Sequence, residues 1–183
     1  MSDGRRWEPI PEAPLERTEG GLRPTADGWF VVNVADAAAV TSEHFGVSAR
    51  FENRTEHPFP DFGINVRVLD PGQPNALYHR ENAQEAFLVL RGECVAIVED
   101  QERPMRQGDF LHTPSGTAHV LIGAGDGPSW ILMVGTRKDP EHLLYPVSDL
   151  AARYGASAER ETADAGEAYP SPKLRPGPLG VLW

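Results

Sequence analysis

The stretch YHRENAQEAFLVLRGE, residues 78–93, decides how this chain is read. Side chains alternate between the two faces of a strand. His79 and Glu81, two residues apart, therefore share a face. Glu85 has the same parity but follows a turn expected at Glu81, Asn82 and Ala83, which lets it look back from the next strand. One histidine and two carboxylates converging in this way can hold a hard or borderline divalent cation. By itself the signal is modest, because short His/Glu spacings also arise on exposed edges.

A second stretch, GDFLHTPSGTAHVLIG at residues 108–123, adds to it. Gly108 and Asp109 mark one turn, and Pro114, Ser115, Gly116 and Thr117 mark another. His119 then opens a run that is otherwise apolar. A histidine at the head of a buried strand must be satisfied by a hydrogen bond or a metal. Taken alone, a hydrogen-bonded core histidine is the plainer reading.

Working outward, residues 28–145 hold short apolar or alternating runs separated by Pro, Gly, Asn and Asp: WFVVNV, FGVSARF, FGINVRVL, EAFLVLRG, CVAIVED, DFLHTP, HVLIG and WILMVG. Such runs, rich in Val, Ile and Phe, read as strands. About eight of them, with no long helical pattern between, predict an all-β sandwich or jelly roll. Residues 1–27 are rich in Arg, Glu, Pro and Gly and read as an extended N-terminal arm. Residues 146–183 read as a short helix over 147–154, capped by Ser148 and ended by Gly155, then an acidic stretch and a Pro-rich strap. The strap ends on Val181, Leu182 and Trp183, which either pack on the barrel or a partner, or form a loose tail.

Composition narrows the function. The chain has 183 residues, enough for one domain with a real core. Its net charge of -10 disfavours nucleic acid and anionic membranes as partners. One cysteine, Cys94, excludes an internal disulfide, and residues 1–17 lack the apolar core of a signal peptide. No apolar run approaches the roughly 20 residues of a membrane helix. The expected address is the cytoplasm.

Together the two stretches resemble the paired motifs of the cupin superfamily. His79, Glu85 and Gly92 match the first motif, with Gly72 as its opening glycine one residue further away than usual. Gly108, Pro114, Gly116 and His119 match the second, and Gly123 replaces its final Asn. The resemblance spans residues 72–123 and leaves both termini outside it. It implies a double-stranded β-helix, the cupin jelly-roll barrel, with a ligand site inside. It also implies one divalent metal held by His79, Glu81, Glu85 and His119, with Mn, Fe, Zn or Ni as candidates.

The departure from the family pattern is Glu81, which stands where a second histidine is usual. Two histidines and two carboxylates leave a divalent metal neutral, where three histidines and one carboxylate leave it cationic. The extra carboxylate favours harder metals such as Mn(II) or Fe(II). The other reading is that Glu81 turns away.

By parity, Phe87 and Val89 share a face with Glu85, and Leu121 shares one with His119. They are expected to wall a largely apolar pocket. Arg67, on one face with Asn65, is either solvated or a substrate-carboxylate anchor. His112 either points inward as a catalytic proton-transfer group or is exposed. Cys94 and Trp130 read as buried packing residues, and His44, His57 and His142 as surface. The outer face of residues 86–90 is also apolar and needs a cover, from either terminus or from a second subunit. A homodimer is favoured, as in many cupins.

The function expected is a metal-dependent enzyme on a small organic molecule, of dioxygenase or of isomerase or lyase type. The alternative is a non-catalytic cupin that binds or senses a metal or small-molecule ligand. A barrel without metal is a third reading.

Overall fold

The structure, a computed structural model, describes residues 8–169 and 174–179. Val181, Leu182 and Trp183 lie outside the described residues. The first elements are a hairpin, β1 (Leu15–Thr18) and β2 (Gly21–Pro24). Then come β3 (Ala38–Ser42), β4 (Gly46–Arg50), β5 (Phe62–Leu69), β6 (Arg80–Glu81) and β7 (Glu85–Arg91). They are followed by β8 (Glu93–Val98), β9 (Gln101–Arg106), β10 (Phe110–Thr113), β11 (His119–Ala124), β12 (Ser129–Thr136) and β13 (Leu143–Leu144). Two short helices, α1 (Asp149–Ala152) and α2 (Ala165–Ala168), precede β14 (Leu174–Pro176).

The architecture is the expected all-β double-stranded β-helix with a short helical C-terminal region. A seven-stranded antiparallel sheet runs β10-β7-β12-β5-β4-β3-β14, and a three-stranded one runs β11-β8-β9. Between the two sheets lies a core of Leu69, Phe87, Val89, Cys94, Ala96, Met105, Leu121, Ile131 and Met133. These residues alternate along their strands with a second set that faces outward. On the small sheet, Val120, Ile122 and Ile97 point outward and are covered by Ala151 of α1 and by Ala156. On the large sheet, Val66, Val68 and Trp130 are covered in part by Val34 and Leu179. Chain from both ends thus supplies cover for strands that are apolar on both faces.

Sequence and structure differ in places for local reasons. WFVVNV is not a strand. Trp29 makes one bridge to Glu12, and an Asx turn then forms at Asn33, whose Oδ1 accepts from the Ala35 N–H at 2.9 Å. With no continuous partner edge, its β-formers have no ladder to join. Within the segment expected as an extended arm, β1 and β2 pair and rest on the start of β3, through Leu22 N–H to Asp36 O and Ala39 N–H to Gly20 O. Exposed β9 is too polar to show strand alternation in the sequence, and its place at the edge of the small sheet accommodates Pro104. The helix is shorter than expected, but Ser148 Oγ does accept from the Ala151 N–H at 3.1 Å.

Gly92, the closing glycine of the first motif, makes the tight β7–β8 turn with φ of 76°, and a Cβ there would lie 2.7 Å from Pro128 O. A Gly92→Ala variant should lose about 1–3 kcal/mol, from left-handed strain and the backbone clash together. A thermal melt of the variant beside the parent measures this, and an unchanged midpoint would contradict it.

Candidate metal centre

His79 and His119 are brought together by backbone, not by their side chains. The His119 N–H donates to His79 O at 2.8 Å, and the His79 N–H donates to His119 O at 3.2 Å. This reciprocal pair continues a ladder that runs from Gly72 and Gln73 with Gly123 through Asn75 with Leu121. The two rings end with centroids 4.9 Å apart. Glu85 enters from the large sheet, at the first residue of β7. One donor atom from each of His79, Glu85 and His119 falls within 4.8 Å of the others. Glu81 is not one of this close trio. Its carboxyl lies close enough to Glu85 for the two charges to repel.

The donor chemistry of the trio suits a cation. His79 Nδ1 donates to Leu77 O at 2.7 Å, and His119 Nδ1 donates to Thr117 O at 3.0 Å. A carbonyl can only accept, so each neutral ring keeps its proton on Nδ1 and its lone pair on Nε2. Outer hydrogen bonds of this kind fix ring tautomer and aim in metal sites. His119 Nε2 lies 2.9 Å from Glu85 Oε2, yet both atoms are buried without an aligned hydrogen-bond partner. Two lone pairs at that distance repel unless a proton or a metal lies between them. The residues present therefore fit a divalent metal.

The titration of the cluster follows from the same crowding. Burial, and then the neighbouring His119, push His79 down to about 4, against the pull of Glu85. Burial first, and then the charge of Glu85 and the hydrogen bond with it, push Glu81 up to about 8. For Glu85, burial works upward, but the contact with His119 outweighs it and holds the carboxyl below the usual range. For His119, burial works downward, and the contact with Glu85 outweighs it and raises the imidazole. The cluster thus raises Glu81 and His119 and lowers His79 and Glu85.

The remaining candidates are placed as follows. Phe87 packs on the His119 ring at 5.2 Å between centroids, and Val89 and Leu121 lie deeper in the barrel core. All three point inward. However, the cavity opening onto Glu81 and Glu85 is lined by Arg54, Asn65, Thr136, Arg137, Lys138 and Glu141. This corrects the expectation of an apolar pocket: parity gives the face, but packing fills the barrel below the cluster with side chains. Arg67 also turns inward, with its guanidinium donating to Phe45 O at 3.3 Å and pushed down to about 10 by burial and Arg50. It is not among the residues lining that cavity. His112 is exposed beside the exposed Phe110, because Leu111 and Thr113 take the inner face of β10; the inward reading is corrected. Cys94 is a buried thiol in the core, pushed up to about 12 chiefly by burial.

Parity missed Tyr145 and Tyr169. The Tyr145 ring lies 6.0 Å from His79, and Tyr169 meets Tyr145 edge-on at 5.5 Å. The Tyr169 hydroxyl accepts from the Leu77 N–H at 3.1 Å, next to the carbonyl that orients His79. Both tyrosines come from beyond the motifs, where no local spacing announces them.

Residues 65–135 match the family model described as Cupin domain. No protein of curated function matches the chain significantly by sequence. Among solved structures, one from Silicibacter pomeroyi, described as a sugar phosphate isomerase from a cupin superfamily, is 26% identical with a TM-score of 0.50, over 68% of this chain and 80% of that one. A predicted oxalate decarboxylase from Thermotoga maritima is 22% identical with a TM-score of 0.52, over 60% of this chain and 100% of that one, a likeness of fold. The chain spans 63% of the length of another structure, from Acidithiobacillus ferrooxidans, over 54% of its own, at 25% identity and a TM-score of 0.46.

Glu81 gives a pH test. Its folded value of about 8 stands above the ordinary 4.5, so the folded state holds an extra proton between those values. The stability this lends is complete below the lower value and lost as pH rises through the upper one. Glutamine cannot titrate. Chelator-treated Glu81→Gln should therefore lose less thermal stability than the parent between about pH 5 and 9. Parallel melting curves across that window would refute the assignment.

Proposed function

Because residues 65–135 of this chain form a cupin domain, we propose that the protein is a metal-dependent enzyme of isomerase or lyase type acting on a small organic molecule. In this reading His79, Glu85 and His119 hold one divalent metal. The observation that carries it is the convergence of these donors, with both imidazoles oriented by backbone carbonyls. Two imidazoles and carboxylate oxygen suit Mn(II), Fe(II), Zn(II) or Ni(II). Bound there, the metal would act as a Lewis acid on an oxygen of the substrate.

The chain's own residues supply the rest. Leu77 O and Thr117 O hold the two rings in place. Glu81 lines the cavity beside Glu85. A metal held by Glu85 would weaken the repulsion that, after burial, raises Glu81. A carboxyl raised above its ordinary range and facing the cavity is placed to hold and give up a proton, as isomerisation next to a carbonyl requires. The likeness to the Silicibacter pomeroyi structure described as a sugar phosphate isomerase supports this choice over oxygen chemistry.

The experiment combines metal analysis with a panel of hydroxy-carbonyl substrates, with and without oxygen. Turnover should persist without oxygen. His119→Ala should lose the metal, while Glu81→Gln should keep it and lose about 10²–10⁴ in turnover. Oxygen-dependent products would replace this reading with a dioxygenase. Retained metal with no turnover would favour the binding module.

A homodimer belongs to the same proposal, since Phe62 and Phe110 leave apolar surface on the large sheet for a second copy to cover. Light scattering should give twice the chain mass.

A further inference from the structure

The cavity beside the metal centre has a cause in the sequence. The strand register sets Gly135 opposite Glu85 and Gly63 opposite Gly135. In this inner-face row Thr113 and Glu85 carry side chains, and the two positions beyond them are glycines. A Cβ on Gly135 would crowd the Glu85 Cγ at 3.3 Å, whereas a Cβ on Gly63 would meet only the far end of Arg137, at 3.7 Å. The space left is about 380 Å³, within the range of small-molecule sites.

Its charges are unbalanced in one direction. Arg54, Arg137 and Lys138 line it. Arg137 is fixed in place: its guanidinium meets Glu52 Oε1 at 2.6 Å, and buried Glu52 also accepts from the Phe59 N–H at 2.7 Å. The Arg137 Nε is itself buried with no partner. Arg54 reaches the same Glu52 oxygen only at 3.8 Å, so one carboxylate serves two guanidiniums. Lys138 is exposed and makes no ion pair among the described residues. The carboxylates left to answer these cations are Glu141 and the cluster acids Glu81 and Glu85, which a metal would neutralise. Three cations gathered at one opening stand out on a chain of net charge -10. Between rim and cluster, the Asn65 amide offers hydrogen bonding to hydroxyl groups.

We propose that this cavity binds a small hydroxylated anion, its phosphate or carboxylate held by Arg54, Arg137 and Lys138 and its hydroxyls directed to Asn65 and the metal centre. Only the last contact rests on the metal reading; the anion grip does not. A planar guanidinium anchored by a buried carboxylate is suited to bidentate oxyanion binding, and a flexible lysine adds charge at the entrance.

The test is calorimetric titration of the Mn(II)-loaded protein with ribose 5-phosphate, gluconate, ribose and inorganic phosphate. At least one of the two hydroxylated anions should bind about ten-fold or more tighter than neutral ribose, and tighter than inorganic phosphate. Which one does so distinguishes a phosphate from a carboxylate ligand. The joint change of Arg54→Ala and Lys138→Ala should weaken that binding about ten-fold, and raised salt should weaken it too. Gly63→Leu should abolish binding by filling the cavity while metal content stays unchanged. The proposal is overturned if ribose binds as tightly as both anions, if none of the probes binds, or if Gly63→Leu binds like the parent. Repeating the titration on chelated protein separates the two readings: a failed metal centre leaves anion binding sensitive to Lys138 and Gly63, whereas a failed anion site leaves metal content intact.

Discussion

The structure turns on the reciprocal backbone hydrogen bonds between His79 and His119. They join a segment with little regular structure to the head of β11, and in doing so bring two imidazoles from distant stretches to one point. Each ring is then held by the carbonyl two residues before it. The aim of the site is thus built from main-chain geometry, which side-chain fluctuation does not easily disturb. Glu85 completes it from the opposite sheet, so the trio spans the barrel and depends on both sheets being in register.

That register is protected by burial on both sides. β11 is buried along nearly its whole length, with His119 and Leu121 facing inward and Val120 and Ile122 under the α1 region. A slip of one residue would turn His119 out of the barrel and bring an apolar neighbour such as Val120 into its place. The large sheet is covered in the same way by Val34 and Leu179. These segments outside the motifs therefore contribute to site geometry without touching the site.

The centre and its cavity divide the chemistry by depth. Packed apolar side chains fill the barrel below His119. Above it, glycines at 63 and 135 clear a polar space rimmed by Arg54, Arg137 and Lys138. Burial perturbs the acids and imidazoles below, while charge gathers at the opening, where water and an incoming ligand can reach it.

The sequence by itself determined the barrel and named His79, Glu81, Glu85 and His119 as candidate ligands. The resemblance of two spaced motifs to a family pattern carries that reading, and the turn at Gly92 is legible because left-handed backbone is a local constraint. Gly123, read as a departure from the second motif, has its reason only in three dimensions: a Cβ there would collide with the Asp70 carbonyl oxygen. Tertiary structure also decided that WFVVNV pairs with no strand, that His112 faces outward, and that Glu81 stands outside the close trio. It placed Tyr145 and Tyr169 behind His79, and gathered three cations from two separate segments around a space left by two glycines. These features depend on which strands become neighbours and on what volume their side chains leave. Neither is encoded in local spacing, because both arise from pairings between residues far apart in the chain.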